Sequence, residues 1–263
     1  MADAGDENDV LYRESGGAAF ITLNRPAKLN ALGPNSFRLL DEHLARFAAS
    51  PQARVAILHG NGRAFAAGAD IEHYVGLSVL GYRDFMRTGN AVQQHLIDCP
   101  KPVIAAVHGY ALGGGLELAL CCDLIVAEDD AQLGLPEAKL GLLPGGGGTQ
   151  RLPRLIGTIR AAELIMTAWR ISGAQAVSWG LALGTGESAS ALEAAQVLAG
   201  RITAAAPVAV RMAKTLLHEG ADAPLAAGLQ LEQAVGAVLY ATDDAKEGIA
   251  AFVGKRKPEF RGQ

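Results

Sequence analysis

The longest apolar run of the chain, residues 103–127, constrains the fold more than any other segment. It contains three consecutive glycines and is interrupted by His108, Glu117 and Asp123. An ionised group at the centre of a bilayer costs about 2.5–3.5 kcal/mol, so this run is a poor membrane span. It predicts instead the interior of a globular domain, in which one carboxylate is buried among apolar residues.

Short β-type runs alternate with helical ones over the first two-thirds of the chain, which predicts an α/β core. From Gly157 onward the pattern is almost purely helical, with Pro207 and Pro224 suited to first turns and Thr242 to a cap. The predicted domains are a disordered acidic tail (1–12), a core (13–200) and a helical region (201–263). The predicted strands cover residues 18–23, 55–59, 103–107 and 124–127.

Composition excludes several classes of protein. Half of the 263 residues are hydrophobic, 19% are charged and the net charge is −4, which gives no electrostatic footprint for nucleic acid. Three cysteines make no disulfide framework, and the acidic N-terminus resembles neither a secretory signal nor a transit peptide. We therefore expect a cytoplasmic protein. The six histidines are scattered, so no metal site is expected.

Two segments can present free backbone N–H groups. Residues 63–71 are small residues around Gly68, and they are expected to form a turn with Asp70 as a helix cap and the Ala69 N–H directed into a cleft. The glycines that precede Glu117 meet a geometric need at a helix start, where N–H groups favour an oxyanion. The Gly114 N–H is the candidate donor there. Each feature alone is also explained by a turn or by tight packing.

Two glutamates can act on one reacting centre. Glu117 follows the glycines, and Glu137 follows Pro136 shortly before a glycine run at residues 145–148, which is expected to shape the pocket rather than to take part in chemistry. Burial and a neighbouring carboxylate raise the pKa of a carboxyl group, and a pair with different environments can supply one acid and one base. With two amides holding a thioester carbonyl, such a pair can add water to an activated double bond.

These features, in this order, resemble the crotonase superfamily, and specifically the enoyl-CoA hydratases. The resemblance covers about residues 15–258. Its motifs are Ile21-Thr22-Leu23-Asn24-Arg25-Pro26, Ala64-Phe65-Ala66-Ala67-Gly68-Ala69-Asp70-Ile71, Lys101-Pro102-Val103-Ile104-Ala105-Ala106-Val107, Gly109-Tyr110-Ala111-Leu112-Gly113-Gly114-Gly115, Pro136-Glu137, Gly147-Gly148-Thr149-Gln150-Arg151-Leu152, Thr242-Asp243-Asp244-Ala245-Lys246-Glu247-Gly248 and Phe252-Val253-Gly254-Lys255-Arg256.

The resemblance implies an α/β fold, a spiral of ββα units followed by a helical region that builds homotrimers, commonly paired into hexamers. It implies Glu117 and Glu137 as hydratase acids and Ala69 and Gly114 as oxyanion donors. Coenzyme A is part of the substrate, and no cofactor is implied. The implied CoA contacts are Ala27, Lys28, Leu29, Ala67, Asp70, Ile71, Phe252 and Lys255, the last two in some cases across a subunit boundary. Residues 74–89 match no usable family pattern and are expected to line the acyl pocket.

The leading hypothesis is reversible hydration of a 2-enoyl-CoA to a 3-hydroxyacyl-CoA. A double-bond isomerase of the same superfamily is the main alternative, because it needs only one carboxylate to move a proton. RNA-binding relatives use a lysine-rich helix near the N-terminus, whereas the helix predicted at residues 35–50 has no lysine. A non-catalytic scaffold has no need for two inward-facing acids.

Overall fold

The computed structural model describes residues 6–263; residues 1–5, part of the predicted disordered tail, lie outside the described part. Its strands are β1 (Val10–Ser15), β2 (Ala18–Leu23), β3 (Val55–Gly60), β4 (Val103–Val107), β5 (Tyr110–Leu112), β6 (Leu124–Ala127), β7 (Gln132–Gly134), β8 (Arg170–Ser172) and β9 (Leu183–Gly184). A six-stranded sheet forms the centre, in the order β1-β2-β3-β4-β6-β9, with β1 antiparallel to β2 and the other neighbours parallel. A smaller sheet has the order β5-β7-β8.

Ten α-helices lie within residues 6–263, together with short 3-10 turns at Pro26–Lys28, Ile71–Tyr74 and Pro136–Leu140. The helices are α1 (Pro34–Ala49), α2 (Val79–Asp98), α3 (Gly114–Ala119), α4 (Gly148–Ile156), α5 (Thr158–Thr167), α6 (Gly173–Ser178), α7 (Ala191–Thr203), α8 (Pro207–Asp222), α9 (Leu225–Tyr240) and α10 (Asp243–Val253).

The chain alternates between the two sheets in ββα units. Strand β4 enters the large sheet, β5 enters the small sheet and α3 follows; β6 and β7 then repeat the two sheet positions. Since β4 pairs with β6 and β5 pairs with β7, each turn of the chain stacks on the one before. This arrangement brings the start of α3 and the turn after β7 to the same region.

Both faces of the large sheet are buried, because alternate residues of each strand point to opposite sides. One face carries Ile21 and Leu58 and packs against α1, α2 and α3. The other face carries Phe20 and Ile57 and is covered by α7, whose alanines allow close approach. The four strands predicted from continuous apolar runs are therefore confirmed, with β3 one residue longer than expected.

The N-terminal boundary predicted from the sequence is wrong. Residues 10–12, assigned to a disordered tail, belong to β1, which pairs with β2 over its whole length. Asp9 also accepts a hydrogen bond from the backbone N–H of Asn24. A signal for this strand was present in the sequence, because residues 10–12 are Val, Leu and Tyr, but they directly follow the acidic segment that was assigned to the tail.

The second predicted boundary, at residue 200, falls inside α7. Because α7 covers the second face of the sheet, it belongs to the core, and the helical region begins at Pro207. The predicted cap of α10 is confirmed, since the Thr242 hydroxyl accepts a hydrogen bond from the Ala245 N–H. Helix α9 has no buried residue, and Phe252 at the end of α10 is 86% exposed. In the described part, no helix is long and apolar enough to cross a membrane.

Candidate active site

A tight turn at Gly113 positions the start of α3. Gly113 has φ 51° and ψ −126°, a conformation that residues with a side chain rarely adopt. A Cβ atom at this residue would lie 2.8 Å from Oε1 of Glu137. Glycine is therefore required both by the backbone and by the close approach of Glu137, and the turn leaves Gly114 as the first residue of the helix.

The amides of Ala69 and Gly114 are both unengaged. Leu32 pairs with the residues on either side of Ala69, since its N–H donates to Gly68 O and its carbonyl accepts from Asp70 N. The Ala69 N–H consequently points away from Leu32, and Gly114 has no helical carbonyl to bond because it begins α3. Within residues 6–263 neither amide donates a hydrogen bond. A Cβ on Gly114 would lie 3.4 Å from the Ala69 nitrogen, so the two amides are neighbours.

Glu117 is buried, with 3% of its surface exposed, on the first turns of α3. Its Oε1 accepts hydrogen bonds of 2.8 Å from the N–H groups of Gly146 and Gly148. Burial raises the pKa of Glu117, whereas these two amides and the charge of Arg151 oppose the rise. The amides therefore stabilise the ionised carboxylate inside an apolar region.

The glycine run at residues 145–148 does more than shape the pocket. It supplies both amide donors to Glu117, and its end is the start of α4, where N–H groups lack helical partners. A Cβ on Gly146 would lie 2.7 Å from Glu117 Oε2, so this position has no room for a side chain. The role of Gly146 and Gly148 was missed from the sequence, although glycines ahead of a helix are a known signal for carboxylate binding.

Glu137 has a different environment. It is half-buried in the 3-10 turn after Pro136, and its Oε2 is buried without a hydrogen-bond partner in residues 6–263. Burial is the main reason that the pKa of Glu137 rises to about 7, and the charge of Glu117 raises it further. Glu137 therefore exchanges its proton near neutral pH, whereas Glu117 receives two amide donors.

One cavity brings these groups together. It has a volume of about 750 Å³, counting the space that opens to solvent, and it is lined by both glutamates and by Ala69 and Gly114. Residues 74–89, which were expected to line an acyl pocket, contribute Tyr74 and much of one face of α2 to its wall. The other wall residues are mainly apolar, and they are Leu32, Phe37, Ala67, Gly68, Ile71, Tyr82, Phe85, Met86, Gly89, Asn90, Gln93, Gly113, Pro136, Leu140, Leu142, Leu143, Gly145 and Gly146.

The residues implied as CoA contacts near the N-terminus lie beside this cavity. Ala67 and Ile71 line it, and the Ala67 N–H donates to the carbonyl of Leu29. Ala27 and Lys28 belong to the 3-10 turn just before Leu29. The two predicted CoA segments are therefore held together at the mouth of the cavity.

Asp70 does not cap a helix through its side chain, contrary to the prediction. Its Oδ2 accepts a hydrogen bond of 3.0 Å from Arg25 and lies 3.6 Å from Lys28 Nζ. Arg25, 45 residues earlier in the chain, therefore binds this carboxylate in place of the backbone amides that follow Asp70. Glu72 lies 2.6 Å from Lys28 and is highly exposed.

Phe252 and Lys255 do not belong to the cavity of the single chain. Phe252 lies in the last turn of α10, and Lys255 follows the helix in a left-handed conformation, φ 49°. Both are exposed and neither lines the cavity. Their predicted contact with CoA, in some cases across a subunit boundary, stays a prediction.

The chain is similar to known proteins along nearly its whole length. The family model described as enoyl-CoA hydratase/isomerase matches residues 13–263. A probable enoyl-CoA hydratase from Rhizobium meliloti is 42% identical over 96% of this chain and 97% of its own. A short-chain-enoyl-CoA hydratase from Clostridium acetobutylicum is 38% identical, again over 96% and 97%.

Among solved structures, the 1.8 Å crystal structure of an enoyl-CoA hydratase from Bacillus anthracis superimposes with a TM-score of 0.92. It is 37% identical, and the match covers 97% of this chain and 100% of that one. The crotonase-like fold and the prediction of an enzyme of the enoyl-CoA hydratase type are thereby confirmed. The chain belongs to the enoyl-CoA hydratase/isomerase family.

Proposed function

We propose that this protein adds water reversibly to a 2-enoyl-CoA, giving a 3-hydroxyacyl-CoA, with Glu117 and Glu137 as its acid–base pair. One observation supports this most: two carboxyl groups in different environments face the same cavity as two unengaged amides. The amides of Ala69 and Gly114 would hold the thioester oxygen and stabilise the enolate. A single such donor typically contributes about a hundredfold to a thousandfold in rate.

The roles of the two acids follow from their surroundings. Glu117, whose Oε1 accepts from two amides, would act as the base and take a proton from water as the water oxygen bonds to C3. The electrons of the double bond then move onto the thioester oxygen. Glu137 would give its proton to C2, next to that carbonyl, because its Oε1 lies beside Gly113 and its pKa is about 7. Glu117 then releases a proton to solvent and Glu137 takes one up, which restores both side chains.

Substitution of either acid tests this mechanism. Glu117→Gln and Glu137→Gln should each lower kcat for crotonyl-CoA by about a hundredfold or more. Binding of the saturated analogue butyryl-CoA, measured by calorimetry, should change little. Glu163→Gln, an exposed glutamate on α5, is the matched control and should leave kcat unchanged. Near-normal turnover in either active-site variant would show that hydration does not need two acids.

A double-bond isomerase is the second candidate. The pKa of about 7 at Glu137 and its unpartnered Oε2 suit a group that takes a proton from one carbon and returns it to another. Incubation of 3-hexenoyl-CoA in heavy water distinguishes the two reactions. The isomerase would be favoured if deuterated 2-hexenoyl-CoA formed faster than any 3-hydroxyacyl product. The rate of this isomerisation should then be the same in Glu117→Gln as in the wild type.

Assembly into homotrimers, or dimers of trimers, also belongs to this proposal. Exposed apolar side chains on α8–α10 support it, among them Leu225 at 78% and Val238 at 72%. A second copy would cover them and could bring Phe252 and Lys255 to a neighbour's substrate. Light scattering coupled to size-exclusion chromatography should give about three or six times the chain mass of 27.2 kDa; a mass of one chain would contradict the assembly.

No cofactor enters the proposed reaction, because coenzyme A arrives as part of the substrate. Turnover of crotonyl-CoA should therefore be unaffected by prolonged dialysis against EDTA. A cytoplasmic location, expected from the sequence, stays a prediction.

A further inference from the structure

Gln93 presents an unpartnered amide to the cavity. It lies on the cavity-facing side of α2, in line with Met86 and Gly89, and only 5% of its surface is exposed. Its Oε1 is buried without a hydrogen-bond partner within residues 6–263. A buried amide in this condition is costly, since an unmet hydrogen bond of this kind typically destabilises the native state.

The amide lies next to the candidate catalytic carboxylate. Gln93 Nε2 and Glu117 Oε2 are each 2.7 Å from the position that a Cβ on Gly146 would take. The two atoms are therefore close neighbours, on the same side of the cavity. Gln93 is at the inner end of the α2 face, because Tyr82 and Phe85 line the cavity further toward the start of the helix.

Neighbouring polar groups do not satisfy this amide. Asn90, one turn earlier, donates instead to the carbonyl of Gly145. The ionised Glu117 carboxylate nearby can only accept hydrogen bonds and cannot donate to Gln93 Oε1, and apolar groups such as Phe37 and Met86 line the cavity beside it. A partner for Gln93 must therefore come from a molecule inside the cavity.

The chemistry of the lining selects the kind of partner. Two carboxyl groups face the cavity, and none of its described lining residues is lysine, arginine or histidine, so a charged carboxylate on the acyl chain would be repelled. An alkyl chain would leave the amide unpaired. A hydroxyl group can donate to Oε1 and accept from Nε2, so it pairs with Gln93 in either orientation of the amide.

We propose that Gln93 is a specificity-determining residue, and that the preferred substrates are 2-enoyl-CoA thioesters whose acyl chain carries a neutral hydroxyl group beyond the double bond. The proposal rests on the hydratase function proposed above. A site built to hydrogen-bond a hydroxyl discriminates strongly against the analogue that lacks it, because the buried polar group is then left unpaired.

Paired substrates and a matched variant test this assignment. The kcat/KM values for 2-hexenoyl-CoA are compared with those for its 5-hydroxy and 6-hydroxy derivatives, in the wild type and in Gln93→Met, which removes the amide at similar volume. Gln94→Met is the control, since the neighbouring Gln94 is exposed and bonds to Asp98 on the outer side of α2. Turnover of crotonyl-CoA by the wild type establishes that the hydratase is active.

The wild type should prefer at least one hydroxylated substrate, and Gln93→Met should lose that preference by about tenfold or more while Gln94→Met retains it. A wild type that hydrates crotonyl-CoA but shows no preference overturns the proposal for Gln93 alone. An equal preference in wild type and Gln93→Met also overturns it. So does an equal loss of rate on all substrates in Gln93→Met, which would assign the amide to the reacting water. Absence of any hydration would instead refute the underlying function.

Discussion

Removing the charge of Glu137 should stabilise the protein while it destroys activity. The native state holds the proton of Glu137 more tightly than the unfolded chain, because the pKa rises from 4.5 to about 7 on folding. Between these two pH values the folded protein binds more protons than the unfolded one, so this group makes stability fall as pH rises. The glutamine side chain of Glu137→Gln cannot ionise, so the variant does not lose stability through this group as pH rises.

The size of the effect follows from the displaced pKa. At about 1.4 kcal/mol for each pH unit, full ionisation of Glu137 costs the native state about 3 kcal/mol. Most of this cost, about 2 to 3 kcal/mol, develops between pH 5 and pH 8. From pH 5 to pH 8, the free energy of unfolding of Glu137→Gln should therefore rise by about 2 to 3 kcal/mol relative to that of the wild type. A pH-independent difference caused by the new amide does not affect this change.

Urea unfolding followed by circular dichroism at pH 5, 6, 7 and 8 measures this difference. Protein concentration is held constant, because association also contributes to stability. Glu163→Gln, exposed on α5, should differ from the wild type by an amount that does not change with pH. A flat difference between Glu137→Gln and the wild type would refute the assignment of a raised pKa to a desolvated Glu137.

Three further outcomes follow from the site and the core. Gly146→Ala would place a Cβ 2.7 Å from Glu117 Oε2, so kcat for crotonyl-CoA should fall by about tenfold to a hundredfold, and an unchanged kcat would contradict the steric account. Hydration should slow above about pH 7 as Glu137 loses the proton it donates, and a kcat/KM profile without this decline would exclude it as the acid. Burial lowers the pKa of His59 to about 4, so the native protein binds fewer protons than the unfolded chain between pH 6.5 and 4. The stability advantage of the wild type over His59→Gln in urea unfolding should shrink by up to about 3 kcal/mol as pH falls through that window, and a constant advantage would show that His59 is not desolvated.

Features that depend on neighbours in the sequence were predictable. Continuous apolar runs gave β2 and β4 with correct ends, because a strand buried on both faces needs an apolar residue at every position. The Thr242 cap was likewise predictable, since its hydroxyl bonds an amide three residues away. Both features depend only on residues close together in the sequence, and the structure confirms them.

Features that depend on residues distant in the sequence were not predictable. Strand β1 is an exception, because its β-type residues and the Gly16-Gly17 turn before β2 are a local hairpin signal that the sequence analysis missed. Asp70 has a good capping position but is taken by Arg25. The amides that hold Glu117 come from residues about thirty positions later, and nothing local connects Gly146 with that carboxylate. The residue types of the site could be read from the sequence, whereas their contacts required the fold.

The hydrogen bonds from Gly146 and Gly148 to one oxygen of Glu117 have a thermodynamic consequence. They favour the ionised carboxylate over the protonated one, so these two bonds lower the proton affinity of Glu117 against the larger effect of burial, which raises it. Linkage is reciprocal, and ionisation of Glu117 must stabilise the loop by the same free energy. The charge state of Glu117 and the hydrogen bonding of residues 145–148 are therefore coupled: loss of the two amide bonds alone raises the proton affinity of Glu117, whereas entry of water to the carboxylate lowers it.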